Sequence, residues 1–332
     1  MEATDRILVT MPPSLCADFF APDQRERLES LGDVVYHDDS ANMTEAELID
    51  AISGATITIT GWGSPTLTAE VMAVADDLDL LAHAAGSVAT YVSPALFDAG
   101  VTVCSANRPM ARFTAELTLG HMISAERHIA DTHHGMREGD YDTDVSGGSL
   151  VGANVGIVGL GTVARYLLRM LEPFDVSVRV YDPYVAAAEL TEYDVVEKAS
   201  LDEVLSESDI VSIHAARTPE TIGMIGAKEL ERIQDGALLV NTARAAIIDE
   251  GAVVEELERG RIRAAFDVYH DEPLPADHPL RSLENVQLTP HRGGHGPHEV
   301  FGETIVDEIE RFQAGHTLQH EIPREQAELM TR

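Results

Sequence analysis

The sequence has very little lysine and cysteine. Only Lys198 and Lys228 are lysine, and two cysteines, Cys16 and Cys104, are too few for a disulfide framework. No apolar run approaches the roughly 20 residues that a membrane-spanning helix needs. Because the N-terminal segment is acidic and lacks a signal-peptide pattern, we expect a cytoplasmic protein.

Basic residues are scarce as a class. The 332 residues include 57 acidic and 23 basic side chains, which gives a formal net charge of −34. Such a surface repels nucleic acid and anionic membranes, so neither is an expected partner. We interpret the acidity as halophilic adaptation, because a Debye length of about 3 Å in 1 M salt screens the self-repulsion. An acidic protein from an ordinary host is the alternative.

Strand and helix patterns alternate from end to end, which predicts an α/β protein with parallel sheets. Five strand-and-helix units in residues 1–106 predict a flavodoxin-like domain. A long helix is predicted over Ala111–Glu138, and a second series of strands and helices begins at Val155. The helix expected after Pro297 follows the last of these strands, so it is expected to return to the first domain.

The predicted organisation is therefore two Rossmann-like or flavodoxin-like domains with a cleft between them. Residues 1–106 and 297–332 would form a discontinuous substrate-binding domain. Residues 107–296 would form an inserted domain that binds a dinucleotide.

A glycine-rich turn carries the dinucleotide prediction. An apolar strand leads into Gly159-Leu160-Gly161-Thr162-Val163-Ala164, and the next strand ends at Asp182. Strand, turn, helix and acidic residue in this register are the fingerprint of a dinucleotide-binding βαβ unit. Gly159 would make the tight turn, Gly161 would admit a pyrophosphate, and Ala164 would let the helix pack on the strand. A plain strand-to-helix turn is the alternative.

The same fingerprint predicts which dinucleotide is bound. The pyrophosphate would lie at the helix N-terminus, where Thr162 and Val163 have N–H groups without intrahelical acceptors. Asp182 would accept hydrogen bonds from both ribose hydroxyls, and its charge would repel a 2′-phosphate. Since no arginine follows Asp182 directly, NAD is favoured over NADP.

Three polar side chains, Arg244, Glu272 and His291, each follow a different predicted strand. Ligands bind beyond the carboxyl ends of the strands in open α/β sheets, so these residues could converge in one cleft. A guanidinium fork suits a carboxylate, and histidine suits proton transfer near neutral pH. Surface ion pairs and a solvated glutamate are the alternatives for the individual residues.

Five segments in order resemble the D-isomer-specific 2-hydroxyacid dehydrogenase family. They are Gly156–Gly161, His214–Thr221, Asn241–Arg244, Asp267–Pro273 and Thr289–Gly294. The resemblance implies an NAD-dependent enzyme that transfers a hydride between nicotinamide and C2 of a small D-2-hydroxy or 2-oxo acid. It also implies a homodimer formed through the NAD-binding domains and an active site between the two domains of each subunit.

The resemblance assigns roles to residues of this sequence. His291 would be the acid/base, Glu272 would bind its other ring nitrogen, and Arg244 would bind the substrate carboxylate and the C2 oxygen. The implied cofactor-binding residues are Gly159, Gly161, Thr162, Val163, Asp182, His214, Thr218, Thr242, Ala243, Asp267, His291 and Gly293. The implied substrate-binding residues are Gly86, Ser87, Val88 and Arg244, with Trp62 and Arg108 as further candidates.

Several alternatives stay open at this point. A phosphoglycerate- or phosphite-type dehydrogenase of the same superfamily and a non-catalytic NAD-sensing protein remain possible. Formate dehydrogenases of the superfamily have glutamine at the position of Glu272, which disfavours that activity. Arg108 and Arg112 could contact a second acidic group of the substrate or pair with surface acids, and Arg217 is expected to be solvated.

Histidine pairs also suggest a metal site, which we reject. His133 and His134 are neighbours on a predicted helix and would point apart. Because Gly293 and Gly294 lie between His291 and His295, this segment is not expected to form the helix on which zinc-binding histidine pairs are spaced. No metal is expected.

Overall fold

The structure is a computed structural model that describes residues 5–141, 148–193 and 196–330. The chain divides into two compact units. Unit 1 comprises Met1–Met110 and His295–Arg332, and unit 2 comprises Ala111–Gly294. The domain limits drawn from the sequence stay a prediction.

Unit 1 is built on a five-stranded parallel sheet. Its strands are β1 (Arg6–Val9), β2 (Asp33–Tyr36), β3 (Ile57–Thr60), β4 (Leu80–His83) and β5 (Thr102–Ser105). Their order is β2-β1-β3-β4-β5, which is the flavodoxin-like order. The predicted α/β class of this unit is confirmed.

The helices of unit 1 follow the strands as parallel connections require. They are α1 (Pro13–Phe19), α2 (Pro22–Leu31), α3 (Glu45–Ala51), α4 (Ala69–Met72), α5 (Pro94–Asp98), α12 (Glu299–Gln313) and α13 (Arg324–Leu329). The Thr44 side chain accepts a hydrogen bond from the Glu47 N–H, and Glu47 binds the Thr44 N–H in return. This reciprocal capping box fixes the start of α3.

Unit 2 contains a seven-stranded parallel sheet. Its strands are β6 (Asn154–Val158), β7 (Ser177–Tyr181), β8 (Val196–Lys198), β9 (Ile210–Ile213), β10 (Leu238–Asn241), β11 (Arg263–Phe266) and β12 (Val286–Leu288). The order β12-β11-β10-β9-β6-β7-β8 reverses direction between β6 and β9. Ligands bind at such a switch point in doubly wound sheets, and the predicted Rossmann-like class is confirmed.

The helices of unit 2 are α8 (Thr162–Leu171), α9 (Leu201–Ser206), α10 (Ala227–Leu230), α11 (Glu250–Glu258), α7 (Ile129–Glu138) and the greater part of α6 (Asn107–Glu126). All of these helices except α7 bury apolar side chains. In α8, Leu167, Leu168 and Leu171 are buried. Burial of a leucine side chain is worth about 1.5–3 kcal/mol, so this face fixes the helix that begins at the glycine-rich turn.

The long helical stretch predicted over about Ala111–Glu138 is present but is divided into two helices. Two helices, α6 and α7, occupy this stretch, and α6 begins earlier, at Asn107. His128 lies between them with φ 48°, in the left-handed region. A helix cannot continue through that conformation, because its hydrogen-bond ladder is broken there. No helix among the described residues is both long and apolar enough to cross a membrane.

Candidate active site

The glycine-rich turn has the geometry that a dinucleotide requires. Gly159 has φ 91°, and its N–H donates to the Tyr181 carbonyl oxygen at 2.8 Å. A Cβ at Gly159 would lie 2.7 Å from the Ala215 backbone, so only glycine fits. A Cβ at Gly161 would meet no atom of the described residues within 4 Å. The backbone at the start of α8 is therefore open to a ligand, while Ala164 is fully buried.

Asp182 is fixed at the end of β7 by backbone groups. Its Oδ2 accepts from the Leu160 N–H at 2.8 Å, and its Oδ1 accepts from the Tyr184 N–H at 2.9 Å. Each carboxylate oxygen has a second lone pair available for a hydroxyl group. The residue thus ties the glycine-rich turn to β7 and can still accept hydrogen bonds from a ribose.

His291 and Glu272 form a direct pair. The His291 Nδ1 and Glu272 Oε2 are 2.7 Å apart, and Glu272 Oε1 accepts from the Tyr269 N–H at 3.0 Å. Because an ionised carboxylate only accepts, Nδ1 carries a proton in this contact. The opposite ring nitrogen, Nε2, is then the atom that can exchange a proton. The His291 side chain is 48% exposed, so a ligand can reach it.

The backbone at His291 is strained. Its φ is 50°, in the left-handed region that non-glycine residues rarely adopt. Such strain costs of order 1–3 kcal/mol and persists only where the surroundings hold it.

Asp267 accepts hydrogen bonds that stabilise this backbone conformation at His291. It is fully buried. Its Oδ1 accepts from the Thr289 hydroxyl at 2.5 Å and from the Arg292 N–H at 2.7 Å, and its Oδ2 accepts from the Gly293 N–H at 2.7 Å. The carboxylate therefore binds the loop on both sides of His291, a role that the sequence did not suggest. Its implied contact with the cofactor stays a prediction.

Arg244 follows β10 and is half-buried. Its Nη1 donates to the Ala243 carbonyl oxygen at 2.7 Å. Burial lowers the pKa of Arg244, the Glu272 charge raises it, and the Arg217 charge lowers it. The guanidinium stays charged nonetheless, since arginine does not deprotonate in proteins. Arg244 thus lies in the electrostatic field of the carboxylate that holds His291, and its other N–H groups can bind an anion.

The remaining predicted cofactor residues lie on neighbouring loops of unit 2. His214 pairs through Nε2 with the Ser212 hydroxyl at 2.9 Å, and burial lowers its pKa to about 4, so the ring is neutral. The Thr218 N–H donates to the Thr221 hydroxyl at 2.8 Å. The buried Thr242 hydroxyl contacts the Thr118 hydroxyl at 2.7 Å. Arg217 is exposed.

The substrate candidates outside unit 2 lie in unit 1. Val88 is fully buried in the core, so only its backbone can serve a ligand. The Ser87 Oγ accepts from the Ala89 N–H at 3.3 Å. Met110 packs over Gly86, because a Cβ on this glycine would lie 2.6 Å from the Met110 Sδ. Arg108 is exposed.

Trp62 belongs to an aromatic cluster that the sequence did not reveal. Its ring centroid lies 5.1 Å from those of Phe19 and His298, and 5.6 Å from that of His295. His298 also pairs through Nδ1 with Asp18 Oδ2 at 2.5 Å. These residues come from distant parts of the chain, so no local pattern announces their contact. Within the described ranges, no group of three or more histidine, cysteine or acidic side chains could hold a metal ion.

Comparison with known proteins places this geometry in a family. Residues 119–293 match the family model described as D-isomer specific 2-hydroxyacid dehydrogenase, NAD binding domain. The chain is 33% identical over 231 residues to glyoxylate reductase of Thermofilum pendens, a match that covers 68% of each protein.

A second relative is longer than this chain. The chain is 29% identical over 314 residues to D-3-phosphoglycerate dehydrogenase of Methanocaldococcus jannaschii, which covers 93% of this chain and 58% of that protein. The chain thus spans little more than half of that relative. The apo crystal structure of D-mandelate dehydrogenase from Rhodotorula graminis has a TM-score of 0.83 at 23% identity, over 97% of this chain and 98% of that one. This last likeness shows a common fold.

Proposed function

Because the chain belongs to the D-isomer specific 2-hydroxyacid dehydrogenase family, we propose that it transfers a hydride between NAD and C2 of a small D-2-hydroxy or 2-oxo acid. One observation carries the proposal above the others. The His291 Nδ1 lies 2.7 Å from the Glu272 carboxylate, in the electrostatic neighbourhood of Arg244. Three loops thereby supply an acid/base, its orienting carboxylate and an anion-binding guanidinium.

The residues present fit the cofactor. Open space beside Gly161, the N–H groups at the start of α8 and the fixed carboxylate of Asp182 suit a pyrophosphate and a ribose. When bound, NAD accepts or supplies the hydride at its nicotinamide ring. Asp182 favours NAD over NADP, since a 2′-phosphate would meet its negative charge.

His291 would move the proton that accompanies the hydride. In reduction, its Nε2 would donate a proton to the oxygen on C2 of the 2-oxo acid, and in oxidation Nε2 would accept it back. Glu272 would keep the proton of the neutral ring on Nδ1 and stabilise the charged ring. A positioned acid/base of this kind is worth about 10²–10⁴-fold in rate.

Arg244 would bind the substrate carboxylate and the C2 oxygen. Its planar fork can donate two parallel hydrogen bonds, and partial burial strengthens them. As the C2 oxygen gains negative charge during reduction, the same guanidinium would stabilise it.

A substrate panel tests the proposal directly. We expect the protein to oxidise NADH with at least one of glyoxylate, pyruvate, hydroxypyruvate, 3-phosphohydroxypyruvate or a longer 2-oxo acid. The assays should be run at several KCl concentrations. Tight NADH binding without turnover of any of these acids would contradict the dehydrogenase and favour an NAD-sensing protein instead.

We propose in addition that unit 2 forms a homodimer. None of the residues of α7 is buried. Ile129 and Met136 on this helix are 51% and 55% exposed, and Tyr141, which follows the helix, is 77% exposed. Exposed apolar side chains that lie together commonly mark a protein interface. Light scattering should give a molar mass twice that of the 35.9 kDa chain. A Met136→Glu variant should shift the protein towards the monomer, and a wild-type monomer would contradict the proposal.

The remaining proposals concern the environment of the protein. A net charge of −34 supports salt adaptation, so the melting temperature should rise with KCl concentration. A flat or falling curve would refute the adaptation. A cytoplasmic location is also proposed, and cell fractionation tests it.

A further inference from the structure

One face of α6 carries three polar side chains behind the two loops that hold Arg244 and His291. We propose that this stripe, Thr114, Thr118 and His121, positions both loops for hydride transfer, with His121 and Thr118 as positioning residues. The spacing of four and then three residues places all three on one side of the helix. His121 is 5% exposed and Thr118 is fully buried. The inference rests on the proposed dehydrogenase function and identifies residues that act through the catalytic loops.

A chain of hydrogen bonds runs from His121 to the loop of His291. The Thr289 hydroxyl gives its single proton to Asp267 Oδ1 at 2.5 Å. The contact of 3.0 Å between His121 Nε2 and the Thr289 oxygen must therefore have the imidazole as donor. Asp267 then accepts the Arg292 and Gly293 N–H groups. His121 thus fixes the hydroxyl that orients the carboxylate on which the left-handed backbone at His291 depends.

A second link runs from Thr118 to the loop of Arg244. The Thr118 hydroxyl donates to the Thr114 carbonyl oxygen at 2.8 Å. Its 2.7 Å contact with Thr242 must therefore be donated by the Thr242 hydroxyl. Thr242 lies two residues before Arg244, so this bond fixes the start of the segment that carries the guanidinium.

The third member of the stripe packs against the His291 loop. A Cβ built on Gly293 would lie 3.1 Å from Thr114 Cγ2 and 3.2 Å from Asp267 Oδ2. The loop therefore lies close against the helix, and the polar stripe fills the interface between them.

Packing alone would not select these side chains. A buried polar group costs free energy unless it is hydrogen-bonded, and apolar residues would fill the same volume without that risk. Burial lowers the pKa of His121, whereas the Asp267 charge and a hydrogen bond to Gln287 act to raise it. A neutral ring is the form that can donate from Nε2 while Nδ1 accepts.

Two variants of His121 separate positioning from packing. His121→Phe keeps the ring volume and removes the donor, whereas His121→Gln keeps an N–H group near the position of Nε2. We expect His121→Phe to lower kcat by about 10- to 100-fold, the scale of a misplacement of an ångström or less. The dissociation constant of NADH should change by less than kcat does, because the glycine-rich turn and Asp182, which would bind most of the dinucleotide, are positioned by β6, β7 and α8 and not by the loop that His121 supports. The deuterium isotope effect on kcat from labelled NADH should rise, and His121→Gln should restore most of kcat.

Met122→Ala is the matched control. Met122 is the next residue on the same helix, is fully buried, and packs in the apolar core away from the stripe. We expect this variant to lose at least as much melting temperature as His121→Phe while it keeps kcat within about threefold. Equal losses of kcat in the two variants would overturn the proposal, because they would show a general effect of destabilisation.

A readout without substrate separates this inference from the proposed function. In wild-type protein, amide hydrogen exchange of the peptide that covers 289–294 should be slow, and it should accelerate in His121→Phe but not in Met122→Ala. If wild-type protein reduces no 2-oxo acid but the exchange pattern holds, the proposed function fails and the loop-positioning role stands. If exchange and kcat of His121→Phe both match wild type, the positioning role is refuted.

Variants of Thr118 test the link to the Arg244 loop independently. Thr118→Val removes the acceptor of the Thr242 hydroxyl, and Thr118→Ser keeps it. Because this link leads to Arg244, Thr118→Val should raise the KM for the 2-oxo acid by more than it lowers kcat, opposite to the pattern of His121→Phe. The same kinetic pattern in both variants would contradict separate links to the two loops.

Discussion

Substitution of Glu272 by glutamine is the sharpest single perturbation of the proton-transfer pair. Glutamine keeps the size of the side chain but removes its charge and turns one oxygen into a donor. In the native protein both carboxylate oxygens accept, one from His291 Nδ1 at 2.7 Å and one from the Tyr269 N–H at 3.0 Å. A glutamine cannot accept from both with its two ends. If its oxygen stays with Tyr269, its amide forces the neutral ring of His291 to carry the proton on Nε2 instead of Nδ1.

The size of the effect follows from the exposure of the pair. Two unit charges 4 Å apart interact by about 1 kcal/mol in water and about 4 kcal/mol at an effective dielectric of 20. The side chains of His291 and Glu272 are 48% and 36% exposed, so solvent screens them towards the lower figure. We therefore expect the variant to lose about 1–2 kcal/mol of stabilisation of the charged ring, or roughly 5- to 30-fold in kcat.

The kcat measured in both directions provides the assay. Both values should fall in Glu272→Gln, because the imidazolium loses its counter-charge and the neutral ring is held in the wrong tautomer. Glu250→Gln is the control, since Glu250 forms a similar pair with His278 at 3.3 Å elsewhere in unit 2. Activity of Glu272→Gln within twofold of wild type in both directions would refute the proposed role of the pair.

Three further predictions concern binding and stability. Arg244→Lys should raise the KM for the 2-oxo acid by about tenfold or more, because an ammonium group cannot replace the fork; an unchanged KM would refute carboxylate binding. Asp182→Ala should lower the preference for NADH over NADPH by about 10- to 100-fold, the worth of a charged hydrogen bond; an unchanged ratio of kcat/KM would refute ribose recognition. Burial lowers the pKa of His214 to about 4 and that of His83 to about 3. Below about pH 6.5, these two histidines are protonated in the unfolded chain but stay neutral in the folded protein. The free energy of unfolding should therefore fall as the pH drops. Urea midpoints that do not change between pH 7.5 and pH 5 would contradict neutral buried rings.

Local signals in the sequence predicted the fold well. The alternation of strand and helix patterns predicted parallel α/β sheets, and both units are built on parallel sheets. The same local reasoning failed at His128. Only the backbone conformation of that residue divides the predicted long helix, and no glycine or proline marks the break.

The residues of the candidate site were likewise predicted only in part. The side-chain chemistry of Arg244, Glu272 and His291 and their positions after predicted strands made them site candidates, because ligands bind beyond the carboxyl ends of strands in open α/β sheets. His121 and Thr118 were missed, since a histidine and a threonine within a helix carry no local mark of function. Their role depends on contacts with residues more than a hundred positions away, 168 for His121 and 124 for Thr118. Such contacts follow from tertiary packing and are not encoded in any local pattern.

The proton transfer at His291 can be tested in a single turnover. His291→Ala, mixed with NADH and then with the best 2-oxo acid of the panel, should still bind NADH, because the glycine-rich turn and Asp182 are unchanged. Its hydride-transfer step should be slower by about 10²–10⁴-fold. A single-turnover rate close to that of wild type would contradict the assignment of His291 as the acid/base.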